Sequence, residues 1–176
     1  MVSLTFVFWM YVVLFSVIGA MRGWAKELLV SFSVILALTF ITLLERYVPF
    51  VQNLRQADTT ALFWLRSVIL ALLVFFGYQS PNIARFAPKM TREKLQDILL
   101  GVFLGGINGY LVVGTLWFYL HEAQYPFPAI TAPLEGTAAG KVALNLLKYM
   151  PPRLLGVPAI YFAVVLAFVF VLVVFI

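Results

Sequence analysis

The chain has 176 residues, 64% of them hydrophobic and only 11% charged, with 12 Lys and Arg against 7 Asp and Glu. A soluble domain carries about 25% charged residues, so this composition excludes a soluble enzyme or binding domain and points to a bilayer. The absence of cysteine excludes disulfides, iron–sulfur centres and cysteine-ligated zinc, and the net charge of +5 is spread among connections rather than gathered on a face that would hold nucleic acid.

One crossing takes about 20 residues, and the uncharged runs fall at 1–21, 28–44, 67–84, 98–120 and 154–176. The expected fold is all-α, a polytopic transmembrane helical bundle of about five hydrophobic helices plus one amphipathic interfacial helix. The first run holds no Lys or Arg ahead of Arg22, the wrong charge order for a signal peptide, and reads as a retained first helix. Residues 22–27 make a tight basic link. The second crossing leaves the membrane near Tyr47 and Pro49, and 45–60 reads as a short loop with charges of both signs. The third begins near Ala61, which places Arg66 inside the membrane with its stem along the helix and its charge reaching the interface. Trp24, Trp64 and Trp117 read as interface anchors.

Arg85, Lys89, Arg92 and Lys94 form the densest positive cluster, ahead of the fourth crossing. The longest connection, 121–153, opens with Pro126, Pro128 and Pro133, which keep it extended or turned. From about 134 to 150, Lys141, Asn145 and Lys148 line one side, with Val142, Ala143, Leu146, Leu147 and Met150 on the other. That spacing predicts an amphipathic helix lying on the membrane or on the bundle, ended by Pro151 and Pro152. A fifth crossing follows at 154–176. With the N-terminus outside, the inner side holds Arg22, Lys26 and the 85–94 cluster, and the short outer loop only Arg46 and Arg55. The positive-inside rule therefore favours an external N-terminus and an internal C-terminus.

Two stretches carry the most pattern. In the fourth crossing Gly101, Gly105 and Gly109 recur on one face, where a second helix backbone approaches closely or a thin wall borders a permeation path. Asn108, beside them, needs a partner in lipid, either a neighbouring helix or a solute path. Asp97 opens the crossing, suited to capping free backbone N–H groups. In the link 19–27, Gly19 and Gly23 permit close packing, and Arg22 and Lys26 share a face. Arg22 invites an ion pair with Glu27, or with Asp97; an ion-binding or proton-relay role for Glu27 is the alternative. His121 is the only histidine, placed by the fourth crossing at the interface, with no ligand cluster around it. No nucleophile pattern, phosphate loop or paired carboxylates emerge, so neither catalysis nor a metal or cofactor is expected.

At these two stretches the chain resembles the colicin V production (CvpA) family of bacterial inner-membrane proteins. The family's first loop has the form R-G-x-x-R/K-E-L, met here by Arg22, Gly23, Lys26, Glu27 and Leu28. Its last core crossing opens with Asp and a glycine every four residues, met by Asp97, Gly101, Gly105 and Gly109. The resemblance covers about residues 1–150 and implies four core crossings; 154–176 is then an additional C-terminal helix. Many members carry a basic residue just before the last glycine, where this chain has Asn108. The resemblance also implies a role in colicin production or envelope maintenance, with no catalytic residue or cofactor to carry over.

The expected function is that of a non-enzymatic integral membrane protein, a scaffold or accessory subunit whose partners are the lipid bilayer and other membrane subunits or further copies of itself. A small oligomeric channel or transporter, with a path along the glycine face near Asn108 and Glu27, is the alternative.

Overall fold

In the computed structural model, residues 3–79 and 91–175 are described. The 80–90 segment, with Arg85 and Lys89 of the basic cluster, lies outside the described residues. The fold is all-α: α1 (Leu4–Arg22), α2 (Trp24–Tyr47), α3 (Pro49–Ala57), α4 (Thr59–Tyr78), α5 (Thr91–Glu122), α6 (Ala138–Leu147), α7 (Pro151–Leu154) and α8 (Ala159–Phe175). Four of these, α1, α2, α4 and α5, are long and apolar enough to cross a membrane. Their outward faces carry Phe6, Trp9, Val13, Leu72, Phe76 and Phe103 largely exposed. In water that surface would aggregate, whereas acyl chains satisfy it and the helices keep every backbone group bonded internally. The chain is a polytopic helical membrane protein.

α2 is the central element. Val30, Val34, Ala37, Leu38 and Ile41 on α2 form one core with Leu70 and Val74 of α4, Leu111 and Tyr119 of α5, and Ile160 of α8. α1 lies antiparallel along α5, with Gly19 against Gly101 and Gly105, and Val12 and Phe15 against Gly109. Gly23 separates α1 from α2 at φ +85°, a conformation disfavoured for residues with a Cβ, and its N–H closes α1 on the Gly19 carbonyl at 2.9 Å.

Several expectations are corrected. The 45–60 loop is mostly helix: α3 starts on Pro49, whose fixed φ and missing N–H suit a first helical position, and buries Val51. Asp58 then caps α4 by accepting from the Ala61 N–H at 2.9 Å. Trp117 is buried against Phe8, Ala143, Leu147 and Met150 rather than anchored in the interface, because α6 covers it. The amphipathic segment starts at Ala138 and packs on the bundle, and Val142 faces outward. Pro151 and Pro152 open a further short helix, α7, so the last apolar helix begins at Ala159 rather than 154 and, at 17 residues, is shorter than the four crossing-length helices.

The turn after α6 reaches well below the end of α5. A Cβ on Gly114 would sit 2.9 Å from Met150 Sδ and 3.0 Å from Pro151 Cδ. Tyr110 donates its hydroxyl proton to the Tyr149 carbonyl. Gly114 and Tyr110 lie about 12 and 18 Å along α5 from Glu122 at the α-helical rise per residue. α6 and α7 therefore enter the bundle as a wedge beside α1 and α5.

Candidate functional site

Among the described residues the buried polar ones are Glu27, Thr39, Arg66, Asn108 and Thr115. Ionised groups gather in two networks, one at each end of α2.

The first is built on the link between α1 and α2. Glu27 sits in the first turn of α2 with its side chain 0% exposed, and its Oε1 pairs with Arg22 Nη1 at 2.6 Å. Arg22 also donates to the Tyr78 carbonyl at 3.0 Å and stacks over the Tyr78 ring at 4.3 Å, which ties the end of α4 to the link. From α5, Asn108 Nδ2 donates to Glu27 Oε2 at 2.8 Å and to the Glu27 carbonyl at 2.9 Å. Ser31 Oγ donates to Asn108 Oδ1 at 2.6 Å. Both carboxylate oxygens of Glu27 and both ends of the Asn108 amide are thus engaged inside the chain. Burying a carboxylate costs several kcal/mol unless it is paired and hydrogen-bonded, and here Arg22 of α1 and Asn108 of α5, itself held by Ser31 of α2, supply that compensation.

Asp97 completes this end from α5. Its Oδ1 accepts from the Trp24 N–H at 3.0 Å. The carboxylate therefore caps α2 rather than its own helix, and faces the positive end of the α2 dipole. A Cβ on Gly23 would meet the Asp97 carboxylate oxygens at 2.7 Å, so glycine is needed there for space as well as for conformation. Lys26 lies partly buried in the same first turn of α2.

Gly101, Gly105 and Gly109 face α1. A Cβ on Gly101 would fall on the Gly19 carbonyl oxygen, and one on Gly105 on the Phe15 carbonyl oxygen and 3.0 Å from Gly19 Cα. A Cβ on Gly109 would meet Val12 Cα at 2.9 Å. This face is covered by the chain's own first helix and offers no surface to a second protein.

The second network joins the other ends of α2, α4 and α5. Arg66 donates from Nε to Glu45 Oε1 and from Nη1 to Glu122 Oε2, each at 2.5 Å, and its guanidinium lies over the Tyr119 ring at 4.8 Å. The sequence reading had Arg66 reaching the interface. Instead two acids from neighbouring helices hold it 94% buried, because pairing two carboxylates stabilises the guanidinium more than stretching the side chain to water does.

Between the networks lies the apolar α2–α4–α5 core, with Thr39 and Thr115 the buried polar residues among the described ones outside the two networks. His121 packs edge-on against the Tyr125 ring. Among the described residues no group of three or more His, Cys, Asp or Glu is placed to hold a metal ion. Sequence reasoning also missed Gly77, where a Cβ would meet Ser33 Oγ at 2.5 Å, so that α4 closes on α2. It missed Ser31 and the three-member cluster around Arg66 as well. A lone glycine in an apolar run and acids scattered among connections carry little local signal. No family model matches the chain, and no curated protein or solved structure matches it.

Proposed function

We propose that the protein is a non-enzymatic scaffold or accessory subunit of a larger assembly in the bacterial inner membrane. Its motifs resemble those of the colicin V production proteins, and the positive-inside rule favours an external N-terminus. One observation carries the reading. The ionisable groups of the membrane core pair among themselves on either side of an apolar interior, while the outward faces of α1 and α8 expose Phe6, Trp9, Val13, Phe162, Val165 and Leu166. Such a chain stabilises itself through its polar groups and has apolar faces left for lipid and neighbouring subunits. Contact with partners belongs to α1 and α8 rather than to the glycine face, which α1 already occupies.

Flux through vesicles tests the reading. Purified protein in liposomes is expected to pass monovalent ions and small solutes no faster than protein-free vesicles. Flux that Glu27→Gln or Asn108→Leu abolishes in a folded protein would contradict it and favour an oligomeric channel.

A further inference from the structure

A cavity of about 170 Å³ opens beside the Arg66 network, at the ends of α2, α4 and α5. Its polar lining is Thr42, Glu45, Arg55, Arg66, Tyr119 and Glu122. Leu38, Ile41 and Phe118 line its deeper side, and Pro152 and Leu155 come in from the wedge after α6.

The charges are unequal. Two carboxylates, Glu45 partly buried and Glu122 exposed at the cavity mouth, face one buried guanidinium, so the cluster carries a net negative charge. Arg66 engages only Oε1 of Glu45 and Oε2 of Glu122. A carboxylate accepts about four hydrogen bonds, so acceptor capacity remains on both. Arg55, exposed on α3, stands on the lining with the opposite charge. A primary ammonium has three N–H donors, and an anionic group attached to it would meet Arg55.

We propose that this cavity binds a small zwitterion, with a primary ammonium held by Glu45 and Glu122 and an anionic group held by Arg55. The same chemistry is found in the ethanolamine-phosphate headgroup of a bilayer lipid and in free amino zwitterions. Glu45 and Glu122 lie at helix ends, the level at which lipid headgroups sit.

Native mass spectrometry of the whole protein in mild detergent tests the proposal, using dioleoyl phosphatidylethanolamine, phosphatidylcholine and phosphatidylglycerol as probes. Phosphatidylethanolamine is expected to bind about tenfold more tightly than phosphatidylcholine, whose quaternary ammonium has no N–H, a gap of about 1.4 kcal/mol. Glu122→Gln and Arg55→Gln are each expected to reduce that binding several-fold. Both variants should fold, since Arg66 keeps Glu45 in the first and Arg55 is exposed in the second. Glu135→Gln, on an exposed residue outside the cavity, should leave binding unchanged. Soluble glycerophosphoethanolamine separates the sources. Competition by it at millimolar concentration supports a free zwitterion, and failure to compete while the lipid binds supports the headgroup. Equal binding of the three lipids with no binding of the soluble compound would overturn the proposal, as would phosphatidylethanolamine binding untouched by both variants.

Discussion

Replacing Asn108 with leucine removes three hydrogen bonds at once. Two run to Glu27, one of them to its carboxylate at 2.8 Å, and the third comes from Ser31. A hydrogen bond to a charged group contributes about 1.5–3 kcal/mol and a neutral one about 0.5–1.5, while side-chain bonds between membrane helices average about 0.6. The loss on Asn108→Leu is therefore about 2–5 kcal/mol, dominated by the fully buried Glu27 oxygen left without a donor. Asn108→Asp should fare no better, since it sets a second carboxylate against the first. The assay is reversible unfolding in mixed micelles, followed by tryptophan fluorescence. A double-mutant cycle with Glu27→Gln should give a coupling of about 1–3 kcal/mol, as expected for residues in one network. A change below about 0.5 kcal/mol for Asn108→Leu, the level of an ordinary surface substitution, would refute the reasoning.

Other perturbations bear on the remaining contacts. Gly105→Leu should separate α1 from α5, because even a Cβ there meets the Phe15 carbonyl and Gly19 Cα; unfolding in micelles should show a loss of about 2 kcal/mol or more. Arg66→Ala should cost about 1.5–3 kcal/mol, chiefly by leaving the partly buried Glu45 unpaired, since Glu122 is exposed to solvent. Combining Arg66→Met with Glu45→Gln and Glu122→Gln should recover most of that loss in the same assay. Gly114→Leu should expel the wedge formed by Met150 and Pro151, seen as faster hydrogen exchange across 138–155 with the α2 core unchanged.

The four long apolar helices were legible because uncharged runs of that length have few other readings, and their bounds differ from the runs by one to eight residues, most at α4. Asp97 shows where local pattern stopped informing. It stands at the head of an apolar run, so the sequence ties it to its own helix, but the tight turn at Gly23 brings the first N–H of α2 to it. Arg66 was misjudged for the same reason. Its partners lie 21 and 56 residues away, and only packing of α2, α4 and α5 shows that two acids converge on it. α3 was hidden by composition, since Gln52, Asn53, Arg55 and Gln56 read as a polar connection, although Pro49 and Asp58 were signals for a helix start and a following cap. The wedge was partly legible. Its amphipathic spacing was plain, but its depth depends on Gly114, whose missing side chain makes room on the opposite helix.

The central claim is that this chain works as part of a larger membrane assembly. The most direct measurement is the native mass of the complex extracted from its own membrane in mild detergent, with every co-purifying chain identified and its stoichiometry counted. The account predicts a defined assembly well above the 19.8 kDa of one chain, with at least one different subunit at fixed stoichiometry. A homogeneous small oligomer of this chain alone would contradict it.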